Sequence, residues 1–188
     1  MIRVVLADDH TILRDKIRSL LAQESDMEVV GQASNGLLLL EVLAQTPTDV
    51  VVLDLHMPAM DGLTATKLIR QRFPDVKVLV LSMLDHAYYA AQAFEAGALG
   101  YALKNSPLRE LLHAIRTVNR SAPFLCTEIG LSLVDSLLCG TSISASLDAQ
   151  IASLATQAHN KEQLDTQKAS SFLTSMPAHQ PHRIKSDQ

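Results

Sequence analysis

The stretch VVVLDLHMPAMDG, Val50 to Gly62, decides how the rest of the chain is read. Four strand-forming apolar residues run into a bare aspartate, Asp54, and the chain then turns through Met57-Pro58. A run that is apolar at every position suits a strand covered on both faces, and a carboxylate at its end sits at the rim of that sheet. Such a residue serves as a helix cap or as the centre of a chemical site.

The flanking sequence repeats the pattern. IRVVLA (2–7), EVVGQA (28–33), DVVVL (49–53), VKVLVL (76–81) and LGYAL (99–103) read as strands. Helix-like segments follow each one: Leu13, Ile17, Leu20 and Leu21 on one face, a leucine-rich 37–43, and Leu63, Leu68 and Ile69 closed by Pro74. An Ala-rich helix then stops at Gly97, and NSPLRELLHAIRTV supplies the fifth. There Ser106 is the expected N-cap, Pro107 the first helical residue, and Leu108, Leu111, Leu112, Ile115 and Val118 the buried face. Five alternations predict an α/β fold, a doubly wound five-stranded parallel sheet with helices on both faces.

Composition narrows the function classes. The 188 residues are 47% hydrophobic and carry a net charge of −4. Residues 1–120 hold 12 basic against 14 acidic residues, and residues 121–188 hold 4 against 6, so neither part shows the basic excess of a nucleic-acid binder. Cys126 and Cys139 have no Cys or His neighbours at ligand spacing and read as apolar fillers in a reducing compartment. The N-terminal MIRVVLADD is a strand, not a signal core, and no apolar run approaches the ~20 residues of a membrane helix. A cytoplasmic protein is expected.

In an open parallel sheet the strands' carboxyl ends face one crevice. Here they present Asp8-Asp9, Ser34-Asn35, Asp54, Ser82 and Lys104. Taken singly, each has an ordinary explanation: Asp8 or Asp9 could cap the first helix, Ser82 the fourth, and Lys104 could be a solvated loop charge. Together at one edge they imply chemistry. Crowded carboxylates repel and call for a cation, and oxygen-only ligands favour a hard one such as Mg²⁺. Lys104 and the Ser82 hydroxyl then suit a phosphoryl group, with Asp54, on the middle strand, as the acceptor.

The elements LADDH, VVVLDLHMPAMDG, VLS and GALGYALK resemble the receiver domain of bacterial two-component response regulators of the NarL/FixJ type, over residues 1–120. The resemblance implies a flavodoxin-like sheet of order 2-1-3-4-5 and phosphorylation of Asp54 by a partner sensor histidine kinase. It implies Mg²⁺ held by Asp9, Asp54 and the backbone carbonyl of His56, with Asp8 assisting through water. It implies a switch pair, Ser82 and Tyr101, that remodels the face of the fourth helix, fifth strand and fifth helix, and pairing of phosphorylated chains. Such a protein is a phosphoacceptor, not a turnover enzyme: it catalyses its own phosphorylation and a slow autodephosphorylation. Asp54 is thus expected to be the acceptor, with Met57-Pro58 and Gly62 shaping its loop.

Departures from the pattern are Met83, which crowds the expected phosphoryl position, and Asn105 where many receivers carry proline and a cis bond. The ordinary role of His56 is through its carbonyl; a sharper one is an imidazole that orients water for dephosphorylation. Phosphatases of the haloacid dehalogenase type also use a strand-end Asp with Mg²⁺, but they need a second Asp two residues on, where His56 stands.

Residues 121–146 read as a helical linker, with a helix capped by Thr127, Ile129, Leu133, Val134, Leu137 and Leu138 inward, and Gly140 after its end. NarL/FixJ-type regulators continue into a LuxR-type helix-turn-helix. Residues 147–188 carry only a faint likeness to one, at Asn160-Lys161-Glu162, after a modest helix through Leu147, Ile151, Leu154 and Ala155. The polar tail beyond about 165, including His179 and His182, reads as disordered, and His159 as a tail residue rather than a ligand. A truncated or degenerate effector remnant is expected, with no DNA binding by this chain; the alternative is a DNA-binding regulator whose helix-turn-helix goes unrecognised.

Overall fold

The computed structural model describes residues 1–138, with side-chain environments through Val134. Cys139, Gly140, the 147–158 helix, the tail with His159, His179 and His182, and the side chains of Leu137 and Leu138 therefore lie outside the described residues.

Strands and helices alternate: β1 (Ile2–Ala7), α1 (Thr11–Leu21), β2 (Met27–Ala33), α2 (Gly36–Gln45), β3 (Val50–Leu53), α3 (Gly62–Arg72), β4 (Lys77–Ser82), α4 (Ala87–Ala96), β5 (Gly100–Leu103) and α5 (Leu108–Asn119). A short β6 (Phe124–Leu125) and α6 (Thr127–Leu138) follow. All pairings are parallel, in the order β2-β1-β3-β4-β5-β6. The flavodoxin-like order is as expected, and the sheet gains a sixth strand.

Every residue of β3 and β5 is buried, and so is all of β4 past Lys77, as a doubly covered sheet requires. The helices end where their chemistry says they must. Gly97 adopts φ 111°, and Ala98 N donates to Ala93 O at 2.9 Å, the closing bond of a left-handed C-cap. Asn35 and Asp61 cap α2 and α3, each accepting from a backbone amide three residues on, Leu38 N and Thr64 N at 2.9 Å. Neither cap was anticipated.

Three expectations need correction. The sixth strand arises because Phe124 N bonds Leu99 O and Cys126 N bonds Tyr101 O, both at 3.0 Å, so the chain after α5 returns to the open edge of β5. Two residues are too few to show a period. Second, α5 starts at Leu108, with Pro107 rather than Ser106 at the N-cap and no side-chain cap bond. Leu108 occupies the first turn and is 40% exposed; Leu111, Ala114, Ile115 and Val118 form the buried face. Third, Val134 points outward, 49% exposed, whereas Ile129 is fully buried and Leu133 half-buried. Thr127 is the first residue of α6, and its amide and hydroxyl both reach Glu110 Oε1, at 3.0 and 3.1 Å.

Phe124, Cys126 and Ile129 belong to the same apolar cluster as the five-strand core. Cys126 is buried and free, and burial pushes its thiol pKa up, in keeping with a filler. No described helix is long and apolar enough to cross a membrane.

Because Ile129 is fully buried, Ile129→Ala is expected to cost about 2–5 kcal/mol in urea unfolding of the full chain, against within about 0.5 kcal/mol for Val134→Ala. Equal and small effects would mean that α6 is not seated on the sheet's core.

Candidate functional site

Strand register assembles the site. Ala7 pairs with Leu53 across β1 and β3, so the next residues, Asp8 and Asp54, emerge side by side. Asp54 N donates to Ala7 O at 2.8 Å, and Asp8 N to Ala33 O at 3.1 Å, which ties both to the sheet. Across the sheet Ser82 pairs with Leu103, and Lys104 N donates to Ser82 O at 2.8 Å. Four polar residues thus stand at the carboxyl edge by alignment alone.

Asp8 and Asp54 are 5% and 3% exposed, and burying two carboxylates needs compensation. Lys104 provides it, with Nζ 2.8 Å from Asp8 Oδ2 and 2.8 Å from Asp54 Oδ2. Desolvation alone would lower the lysine pKa, but the two carboxylates outweigh it and the net shift is upward. A raised lysine pKa means that this stabilisation is complete below the ordinary value of 10.5 and is lost only as pH rises through the elevated one.

Asp9 is more open, and His10 stands beside it. His10 Nδ1 lies 2.8 Å from Asp9 Oδ1 and 3.2 Å from Asp8 Oδ1, while its own amide donates to Asp8 Oδ1 at 2.8 Å. Asp8, Asp9, His10 and Asp54 can each offer a ligand atom, all within 4.8 Å of one another. Three carboxylates against one ammonium leave an excess of two negative charges if the imidazole is neutral. A hard divalent cation fits the three carboxylates. Arg14 braces the loop from behind, donating to Asp8 O at 2.5 Å and to Gln32 Oε1 at 3.0 Å.

The loop after Asp54 is held tightly. A Cβ on Gly62 would meet Asp54 O at 2.2 Å and Leu55 Cα at 2.8 Å, backbone atoms that cannot yield, so only glycine lets α3 start so close to the strand end. Gly62 N donates to Leu55 O at 2.9 Å. Ala59 takes φ 65°, and Met60 N bonds Pro58 O at 2.7 Å, a tight three-residue turn. His56 follows Asp54 with its side chain exposed.

Ser82 and Tyr101 are both fully buried, and one residue joins them. Leu84 N donates to Ser82 Oγ at 3.2 Å, while Tyr101 OH donates to Leu84 O at 2.8 Å. Desolvation pushes the Tyr101 pKa up to about 12, with the Ser82 hydroxyl pulling the other way. Met83 is 66% exposed, so its side chain does not fill buried space beside Ser82. Every described peptide bond is trans, Lys104–Asn105 included.

The structure therefore gathers Asp8, Asp9, Asp54 and Lys104, and couples Ser82 to Tyr101 at one side. Sequence reasoning passed over His10, Arg14 and Leu84. The position of His10 directly after the acid pair was a usable signal; the parts of Arg14 and Leu84 become visible only in three dimensions.

Residues 4–116 match the family model of the response regulator receiver domain. The oxygen regulatory protein NreC of Staphylococcus epidermidis is 39% identical over 134 residues, covering 71% of this chain and 62% of that protein. NreC of Staphylococcus carnosus is 38% identical over 144 residues, 76% of this chain and 66% of that protein. Among solved structures, a LuxR-family two-component response regulator from Aurantimonas sp. SI85-9A1 superposes with TM-score 0.69 at 32% identity, covering 72% of this chain and 97% of that one. The isolated REC domain of RcsB from Salmonella enterica serovar Typhimurium, in the presence of the phosphomimetic BeF₃⁻, gives TM-score 0.64 at 27% identity, over 69% and 96%. The chain spans a little under two-thirds of the first NreC relative's length. Its fold, its carboxylate edge and these matches agree: the chain belongs to the response regulator receiver domain family.

Proposed function

We propose that this chain is a phosphoacceptor of two-component signalling, with Asp54 taking a phosphoryl group from a sensor histidine kinase. One observation carries the reading: a buried lysine ammonium shared between Asp54 and Asp8 at the carboxyl edge of the sheet. Asp54, through a carboxylate oxygen, attacks phosphorus in line; the P–N bond to the kinase imidazole breaks, and the imidazole nitrogen leaves with the bonding pair. Lys104 shifts its ammonium toward the new phosphoryl oxygens, and the Ser82 hydroxyl donates to another. Asp8, Asp9, Asp54 and the His56 carbonyl would hold Mg²⁺, which when bound neutralises charge on the phosphoryl oxygens. The chain turns over no small substrate, and its phosphoryl group is lost slowly to water.

Movement of the Ser82 hydroxyl removes the partner of Leu84 N, and Leu84 O is the acceptor of Tyr101. Tyr101 in turn pairs with β6. The output therefore runs from the switch pair into β6 and α6, which open the linker of 121–146 that follows the receiver at residues 1–120. Pairing of phosphorylated chains and contacts with other proteins, in the cytoplasm, are the outputs assigned here. Residues 141–188 hold four basic and four acidic residues, which gives no footprint for phosphates, and residues 147–188 are assigned as the effector remnant. A second reading, a DNA-binding regulator, rests on the likeness to RcsB, one of whose structures is described as two dimers bound to two parallel DNAs. Phosphorylated chain that shifts duplex DNA at low micromolar concentration would favour it.

Asp54→Asn is expected to abolish phosphoryl incorporation from a small-molecule phosphodonor, read by intact-mass spectrometry, while leaving the fold intact. Labelling at the wild-type level would place the acceptor elsewhere. Lys104→Met leaves Asp8 and Asp54 facing each other uncompensated, so Mg²⁺ is expected to bind roughly tenfold tighter and to raise the melting temperature more than in the wild type. Weaker Mg²⁺ binding would show that the lysine does not compete with the cation for these carboxylates.

A further inference from the structure

The donor set at the carboxylate edge contains a nitrogen. His10 occupies the N-cap position of α1, yet its side chain makes no cap bond; it turns to the acid pair instead. Nδ1 sits 2.8 Å from Asp9 Oδ1 and 3.2 Å from Asp8 Oδ1 and lies within the 4.8 Å group that includes Asp54. Its backbone is pinned on both sides: His10 N bonds Asp8 Oδ1 at 2.8 Å, and His10 O accepts from Arg14 N at 3.1 Å. The imidazole is therefore held over the carboxylates by the start of the helix.

Magnesium gains little from such a group, because it takes oxygen ligands and keeps its waters. Imidazole suits the first-row transition dications, whose affinity for nitrogen rises along the Irving–Williams order. We propose that His10 is a specificity-determining residue, biasing the acidic site toward a nitrogen-accepting divalent cation such as Mn²⁺ or Co²⁺ relative to Mg²⁺. The inference rests on the reading that Asp8, Asp9 and Asp54 hold a divalent cation. A merely structural role, His10 as a hydrogen-bond donor that orients Asp9, makes the opposite prediction. It would affect every metal alike, and asparagine, which keeps a donor, would rescue it.

The test uses the full chain and the metals alone. Mg²⁺, Mn²⁺ and Co²⁺ are titrated by calorimetry into wild type, His10→Ala and His10→Asn at about pH 8, above the ordinary imidazole range. Urea midpoints confirm that all three are folded. Both variants are expected to lose roughly tenfold in Mn²⁺ and Co²⁺ affinity while Mg²⁺ stays within about twofold. Pulsed EPR of the bound Mn²⁺ that excess Mg²⁺ displaces should show ¹⁴N coupling in wild type and none in either variant. Parallel losses for all three metals, rescue by asparagine, or ¹⁴N coupling that survives His10→Ala would overturn the proposal and leave the cation site standing. Failure of wild type to bind any of the three metals would overturn the cation site itself, and this inference with it.

Discussion

One lysine carries the electrostatics of this fold. Asp8 and Asp54 are brought together by strand register, beneath a rim of loops that keeps both nearly dry. Two carboxylates in that position cannot both stay charged without a partner. Lys104 reaches both with one ammonium, and it can do so because β5 ends two strands away from Asp54, with the Ser82 carbonyl fixing its backbone. Removing the lysine leaves both buried carboxylates without their counter-charge, and breaking a buried pair in that way typically costs about 3–5 kcal/mol. Lys104 is therefore a residue the folded state depends on, and the edge it neutralises in part keeps an excess of negative charge for a cation to meet.

The loop that carries Asp54 into place is built against backbone preference. Ala59 in the left-handed region costs about 1–3 kcal/mol, a strain tolerated only where the surroundings fix it. Here the fixing groups are identifiable: Gly62 N on Leu55 O, Met60 N on Pro58 O, and Gly36 N on Met60 O at 3.2 Å. Gly62 is indispensable to the first of these, since α3 begins within van der Waals contact of the peptide that follows Asp54. The local cost holds the Asp54 carboxylate at the carboxyl edge of the sheet without letting its loop wander.

The fold was legible because its signals are long. Apolar runs of four to six residues, punctuated by Pro74 and Gly97, mark strands and helix ends whatever their tertiary partners. Asp8, Asp54 and Lys104 were legible for the same reason, as polar residues that terminate apolar strands. What escaped had no periodic signature. Phe124–Leu125 is a strand only because the edge of β5 is open beside it. Leu108 and Val134 satisfy a helical pattern yet face solvent, since a pattern cannot tell which of two apolar stripes meets the core. His10 was overlooked because its neighbours already explained the site, and Leu84 acts through backbone atoms that any residue would supply.

Leu84 also ties together the two buried hydroxyls beside Asp54's edge of the sheet. Leu84 offers its amide to Ser82 and its carbonyl to Tyr101, so two buried hydroxyls share one stretch of loop. Buried polar groups left without partners are costly, so displacing either hydroxyl obliges the loop to find a new arrangement. Tyr101 cannot be indifferent to that change, because its ring is fully buried and its carbonyl receives Cys126 N. Cys126 immediately precedes α6, whose first residue is anchored to Glu110 of α5. The extra strand is thus more than an edge cover. It fastens the start of α6, through Cys126 N on Tyr101 O, to the strand whose tyrosine reaches the loop beside Ser82.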